Sequence, residues 1–447
     1  MTRVLTFFGL TLTVALLCAC ARLGLNAAHD GPRDVASIVD GGGVDAVGPG
    51  SDATSDTFDA AGDTGHDTQA DGAFDGGQVD GAPDSLVDGG ADTTDATNGY
   101  LRLFSLQNTS VGVAYRFTPS ATKTGLPLRW ELGDGTVVDS NTVSHVYIAN
   151  GTKTVHVLSA DGAAGITQLH ASGDRLTGSI PPELGQLTNL TRLSLDSNRL
   201  SGNIPPELGQ LTSLTQLYLF SNSLSGSIPL ELGQLTNLTR LHLSSNSLGG
   251  NIPPELGQLT SLTRLTLDSN SLEGNIPPEL GQLTSLTQLT LNSNSLSGNI
   301  PPELGQLTSL TQLYLYHNSL SGNIPPELGQ LTSLTMLNLS SNGLSGNIPP
   351  ELGQLTSLTS LDLSSNSLSG NIPPELGQLT SLTILYLDSN SLSGSSAGTF
   401  RNLLAIKALH LEDNLLDETA VDAIIDDIYQ DRQAHTYTLI KTLYIGG

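Results

Sequence analysis

Few residues in this chain are spaced for covalent chemistry. Gly394-Ser395-Ser396-Ala397-Gly398 fits the G-x-S-x-G pattern of a nucleophile elbow. That pattern needs a strand-turn-helix in an α/β sheet, with an Asp and a His to follow. Here it falls in the loop after the last full repeat, so Ser396 is expected to be structural. The nine histidines are scattered singly, and His170, His242 and His410 share one phase of the repeat but stand several repeats apart. They are not expected to form a metal cluster. There is no H-E-x-x-H, P-loop or dinucleotide fingerprint. Two cysteines, Cys18 and Cys20, cannot build a disulfide scaffold or a four-thiolate zinc site. Sixteen aspartates lie from Asp30 to Asp95, yet no two are separated by one residue, as a calcium loop requires. The expectation is a protein that is not an enzyme, with no cofactor and no metal site.

What is left is recognition by uneven residues on an even background. Asn198, Asn222, Asn246, Asn270, Asn294, Asn318, Asn342, Asn366, Asn390 and Asn414 follow one another at intervals of 24 residues. Asp174 holds the same phase one interval earlier. Around each asparagine runs L-x-x-L-x-L-x-x-N-x-L, as in Leu190, Leu193, Leu195, Asn198 and Leu200. Leu193 and Leu195 are two apart and share one face of a short strand. One coil cannot bury its leucines alone, so the coils must stack, strand on strand, in a parallel sheet. Each asparagine amide is then placed to bond the backbone of adjacent coils. Gly202 permits a tight turn, and Pro205-Pro206 stiffens the opposite side.

The spacing and the L-x-G-x-I-P-P-E-L-G-Q-L-T remainder resemble the plant-type class of the leucine-rich repeat family. The resemblance implies an α/β repeat solenoid with its parallel sheet on the concave face, over residues 163–416. In that class the concave face carries the ligand contacts. Six, four and two residues before each asparagine, side chains point to that face, and there the repeats differ from one another. Arg192, Arg240, Arg264, His242, Tyr218, Phe220, Tyr314, Tyr316 and Tyr386 stand out, Arg and Tyr being frequent binding hot spots. They are the candidate ligand-binding residues. The competing reading is drift on a solvated sheet, with Arg–Asp pairs between columns.

Ahead of the repeats, Trp130-Glu131-Leu132-Gly133-Asp134-Gly135, Ser144-His145-Val146-Tyr147 and Gly151-Thr152-Lys153-Thr154-Val155 resemble the PKD family, an immunoglobulin-like β-sandwich. Leu132 replaces the family's aromatic residue and Lys153 its second Tyr. The segment 100–162 is read as this domain, with Trp130 in its core and Asp134-Gly135 in a turn, and it is expected to cap the first coil. At the other end, 417–447 is read as a cap. Asp417 to Asp431 has Val421, Ile424, Ile425 and Ile428 on one helical face and acids on the other, and Ile440, Leu443 and Ile445 repeat the strand spacing. Gly447 falls one residue before the next ladder position, so the reading frame is expected to be incomplete.

Charge and address complete the organisation. The 447 residues carry 43 acidic and 17 basic groups, a formal net charge of −26, which argues against a nucleic acid partner. Fifteen of those net charges come from residues 29–99 of the Asp/Gly/Ala-rich stretch 21–99, where 16 aspartates face only Arg33. It has no apolar period and reads as a disordered tether. Residues 1–20 read as an export signal: Arg3, then an apolar run from Val4 to Leu17 too short to span a bilayer. Leu17-Cys18-Ala19-Cys20 resembles the lipobox of bacterial lipoproteins, which implies lipidation of Cys20. The alternative is cleavage after Ala19-Cys20-Ala21 and secretion. The expectation is an exported, surface-tethered protein in the bacterial cell envelope. It would meet the membrane through its lipid only and bind a protein, peptide or glycan. The alternative function is a structural protein that meets a polysaccharide lattice or ice through regular Thr, Ser and Gln columns such as Thr191, Thr215, Thr239 and Thr263.

Overall fold

A computed structural model describes Thr2–Phe7 and Leu10–Ala15, most of the strands within 100–158, residues 165–434, and Thr442–Ile445. Cys18, Cys20, the stretch 21–99 and the Asp134-Gly135 turn lie outside the described residues. Thr2–Phe7 and Leu10–Ala15 pair with each other antiparallel.

The leucines stack as their spacing requires. Short strands from Ile166–His170 to Ala408–His410 run parallel in sequence order, each pairing with the next. Leu193 pairs with Leu217, and Leu217 with Leu241. All three are fully buried in one continuous core of leucine and isoleucine. Such a residue leaves water only because the next coil covers it. Each coil returns through a 3-10 turn such as Pro206–Gln210 and, in most coils, a second parallel strand such as Ser271–Asn275.

The prolines start that turn. Pro205 sits at its N-cap with φ −65°, and Pro206 takes a first position where no N–H is needed. Gly209, within the turn, has a second task. A Cβ there would lie 2.5 Å from the carbonyl oxygen of Glu231 in the next coil. The glycine therefore sets how closely coils approach.

Asparagines tie the coils together. Asn246 Nδ2 donates to the carbonyls of Leu219 and Leu243, at 3.0 and 3.1 Å, and its Oδ1 accepts from the Leu224 N–H at 3.0 Å. The bonds reach into the preceding coil and satisfy backbone groups that would otherwise be buried bare. The residue just ahead turns the chain inward with left-handed backbone, as at Ser245 with φ 55°. A threonine ladder runs beside the asparagines. Thr263 Oγ1 donates to the carbonyl of Thr239 at 2.9 Å, and Thr239 Oγ1 to that of Thr215 at 2.9 Å. These hydroxyls, which the lattice reading made a surface array, are spent on holding coil to coil.

Both ends are covered. Trp130 and Leu132 are buried, and Trp130 Nε1 donates to the Ser140 carbonyl at 2.8 Å. From this segment, Ser120–Lys123 pairs antiparallel with Ile166–His170. Tyr100–Asn108 pairs with Leu176–Gly178. Both sheets of the first coil thus continue into the small domain. At the far end helix α1 spans Glu418–Ala434, capped by Asp417 Oδ1, which accepts from the Ala420 N–H at 2.7 Å. Ile424 and Ile428 are buried and Val421 and Ile425 pack beside them. One acid departs from the expected solvent face. Asp427 is 1% exposed and accepts from the backbone of Gly398 and Phe400, at 2.7 and 3.1 Å, and from Arg401 Nη2 at 3.3 Å. The loop that follows the last full repeat folds over it. Thr442–Ile445 then adds a further rung, Leu443 pairing with Leu409.

Candidate binding surface

The solvent face of the long sheet carries the variable columns in register. Arg192, Gln216, Arg240, Arg264 and Gln288 pair in succession, as do Ser194, Tyr218, His242, Thr266 and Thr290. The strands are only three residues long through most of the stack, so each presents two of these side chains and hands the third to the following turn.

The candidate residues fall into three groups. The first joins Arg192, Tyr218, Phe220, Arg240, His242 and Arg264. Phe220 and His242 stack at a centroid distance of 4.1 Å. Tyr218 meets Phe220 edge-on at 6.5 Å. The Arg192 guanidinium lies 5.1 Å from the Tyr218 ring centre, and Arg240 Nη1 donates to Tyr218 Oη at 3.4 Å. Burial holds the His242 imidazole below its usual pKa against the pull of Asp268 and Asp196, so it stacks as a neutral ring at pH 7. Its Nε2 lies 2.6 Å from Ser244 Oγ. Burial likewise raises the carboxyl of Asp268.

Arg240 and Arg264 are direct neighbours across two strands and both are exposed. Among the described residues neither they nor Arg192 makes an ion pair within 4.0 Å. The Arg–Asp pairing that drift would tolerate is not what this sheet contains.

Tyr314 and Tyr316 form a second group, edge-on at 6.4 Å, with Tyr314 Oη donating to Met336 Sδ at 2.8 Å. They stand four coils beyond Tyr218 and Phe220, roughly 19 Å at sheet spacing. Tyr386 belongs to a third group, against His410 at 4.5 Å. His410 in turn meets Tyr444 at 4.6 Å, and its Nδ1 lies 3.2 Å from Glu412 Oε1. His170, His242 and His410 lie in separate coils, three and seven intervals apart. What their spacing did not disclose is that His410 meets two carboxylates, those of Asp388 and Glu412. The two acids share a column, and His410 is two residues from one of them.

Ser396 is exposed in a turn after the strand Ser391–Ser395, and its carbonyl accepts from Thr399 Oγ1 at 2.6 Å. No helix follows it directly, so the strand-turn-helix of a nucleophile elbow is not formed. No helix of the described residues is long and apolar enough to cross a membrane.

Comparison with known proteins agrees with this architecture. A PKD domain model matches residues 106–172, reaching into the first coil that the small domain covers. Leucine rich repeat models match 189–211, 213–235, 237–259 and 261–283, then 284–344 and 356–416, with a two-copy model bridging 332–374. No curated protein matches the chain. Among solved structures, a TDR receptor is 36% identical with a TM-score of 0.54, over 56% of this chain and 43% of that one. PEPR1–AtPEP1 is 37% identical with a TM-score of 0.52, over 56% and 39%. The ectodomain of the Arabidopsis receptor kinase HAESA, solved with an IDA peptide hormone ligand, is 36% identical with a TM-score of 0.52, over 56% and 42%. The chain thus spans about two fifths of each of these structures. Stacked coils, asparagine ladder and matched models agree: the chain belongs to the leucine-rich repeat family, with a PKD domain ahead of its repeats.

Proposed function

We propose that this is an exported recognition or adhesion protein, tethered at the bacterial cell surface by lipid on Cys20 and the acidic stretch 21–99. It grips a protein, peptide or glycan on the solvent face of the repeat sheet. The observation that carries the reading is the pair Arg240 and Arg264, neighbours with no carboxylate partner within 4.0 Å among the described residues. Like charges opposite each other across strands destabilise a sheet, and nothing in the coil needs them. Beside them lie Tyr218, Phe220 and neutral His242. A ligand with an anionic group next to a flat apolar surface, an aromatic side chain or a sugar face, satisfies both features. The ligand-bound HAESA and PEPR1–AtPEP1 structures support a peptide as one such class.

Peptide and glycan arrays read with the purified chain test this. Anionic ligands should be retained and should weaken as salt rises. Tyr218→Ser with Phe220→Ser, and Arg240→Gln with Arg264→Gln, should each lose them. Retention unchanged in both double variants removes this surface from the account. A lipid-modified Cys20 in the mass of the mature N-terminus tests the tether.

A second reading keeps one specific observation. The threonines of the other column, Thr212, Thr236, Thr260 and Thr284, are exposed once per coil. Their regular spacing suits a lattice such as a polysaccharide or ice. An ice-recrystallisation assay in which wild type and Thr260→Lys, Thr284→Lys behave alike would dismiss the ice version.

A further inference from the structure

At the C-terminal end of the same face, His410 is held by its neighbours. It pairs with Tyr386 on one side and Tyr444 on the other, and both rings lie against its imidazole, at centroid distances of 4.5 and 4.6 Å. That grip leaves Nδ1 3.2 Å from Glu412 Oε1. Asp388 stands one coil earlier in the same column as Glu412. One donor atom from each of the three residues lies within 4.8 Å of the others. Among the described residues no hydrogen bond reaches Glu412 Oε2, which is shielded from solvent although the side chain as a whole is 31% exposed. A shielded carboxylate oxygen without a donor suits a positive partner.

We propose that Asp388, His410 and Glu412 bind one divalent transition-metal ion, zinc or an ion of similar chemistry, between the last coils of the stack. One imidazole and two carboxylates are a three-ligand set of the kind that leaves a further coordination position open. The imidazole favours zinc, nickel or copper over calcium or magnesium. Ligands bonded at about 2.0–2.1 Å around a tetrahedral ion stand about 3.3 Å apart, close to the separation of His410 Nδ1 and Glu412 Oε1. Asp388 offers the third donor atom, within 4.8 Å of the other two. An ion there would join one coil to the next where the repeat gives way to the cap. His410 and Glu412 lie six coils beyond Arg264. Ion and anionic ligand therefore have separate sites, and either can fail without the other.

The test is titration of the untagged full chain with zinc against a chromophoric chelator, and with cobalt followed by visible absorption. Wild type should bind one zinc per chain, gain thermal stability with it, and give a cobalt d–d spectrum. Glu412→Gln, which keeps the side-chain shape, Asp388→Asn and His410→Ala should each weaken binding at least tenfold and abolish the cobalt bands. Their metal-free circular dichroism should match wild type, which separates lost ligands from lost fold. Absence of saturable binding at millimolar zinc overturns the site and leaves a histidine–carboxylate pair. Equal binding by all three variants assigns the metal to the aspartate-rich stretch and overturns it as well.

Discussion

Removing one rung of the asparagine ladder has a cost that the hydrogen bonds define. Asn294 lies mid-stack. Its Nδ2 donates to the carbonyls of Leu267, Leu291 and Asn292, at 3.1, 3.0 and 3.3 Å, and its Oδ1 accepts from the Leu272 N–H at 3.0 Å. The carbonyls do not depend on it alone. Leu267 also accepts from Asn270, and Leu291 from Asn318, each at 3.1 Å. The Leu272 N–H, in a residue with 0% exposure, loses its acceptor. An orphaned buried donor costs about 1–3 kcal/mol and the shared bonds about 0.5–1.5 kcal/mol more, so Asn294→Ala should destabilise by about 2–4 kcal/mol. Asn294→Asp keeps the acceptor for Leu272 but sets a charge against three carbonyl oxygens. It should be worse than Ala at about pH 7 and recover toward pH 4, where the neutral carboxyl donates. Guanidinium unfolding followed by far-UV circular dichroism measures both. A stack can loosen coil by coil, so the slope must be compared as well as the midpoint. A loss under about 0.5 kcal/mol for Ala, or identical behaviour of Ala and Asp at both pH values, refutes the bond-by-bond account.

Two further outcomes follow from buried charge. Asp427→Ala strips the acceptor from the Gly398 and Phe400 amides and frees Arg401. Breaking such a buried charge cluster costs about 3–5 kcal/mol. The C-terminal cap should become sensitive to limited proteolysis after Gly394 while the central coils stay resistant; uncut caps in the variant would sink the assignment. His170 is held below the ordinary imidazole value by burial and then by Arg192, and His242 by burial. The unfolded chain therefore protonates first as pH falls below about 6.5, and these two histidines contribute stability that is present above that value and lost beneath it. Asp268 and Asp388, both raised by burial, act in the opposite sense at lower pH, where the folded chain keeps protons that the unfolded chain has released. Melting temperature should drop from about pH 8 to pH 5, less steeply in His242→Phe, and an unaltered slope in that variant would show that His242 is not responsible.

Leucine and asparagine spacing disclosed the stack because both periods act within a coil or between identical neighbours. Leu193 must face inward wherever Leu195 does, and Asn198 meets the same backbone in every coil. Features that depend on the distance between coils were hidden. Gly209 reads as one more turn glycine until the Glu231 carbonyl is found where its Cβ would be. Thr263 reads as a surface hydroxyl until its bond to the Thr239 carbonyl is seen. Asp427 sits on the acidic face of a helical projection, and only the fold of the non-repeating loop Gly398–Arg401 buries it. The cluster around His410 was hidden for the same reason. Its three side chains belong to two coils and two columns, His410 in one and Asp388 and Glu412 in the other.

The fate of each column explains why variation gathers where it does. Leucines fill the core, asparagines and threonines bond backwards to the preceding coil, and the turn glycines admit the next coil. A change in any of these costs stability, whatever the protein binds. The solvent face of the sheet is freer to vary, since its strands pair through backbone and its side chains leave the core and the backbone ladders untouched. That freedom alone predicts mixed, self-compensating residues there. Arg240 stands beside Arg264, and among the described residues neither has a carboxylate within 4.0 Å. On the reading proposed above, an anionic group of the ligand faces this pair, and the rings of Tyr218, Phe220 and His242 mark where the rest of that ligand would lie.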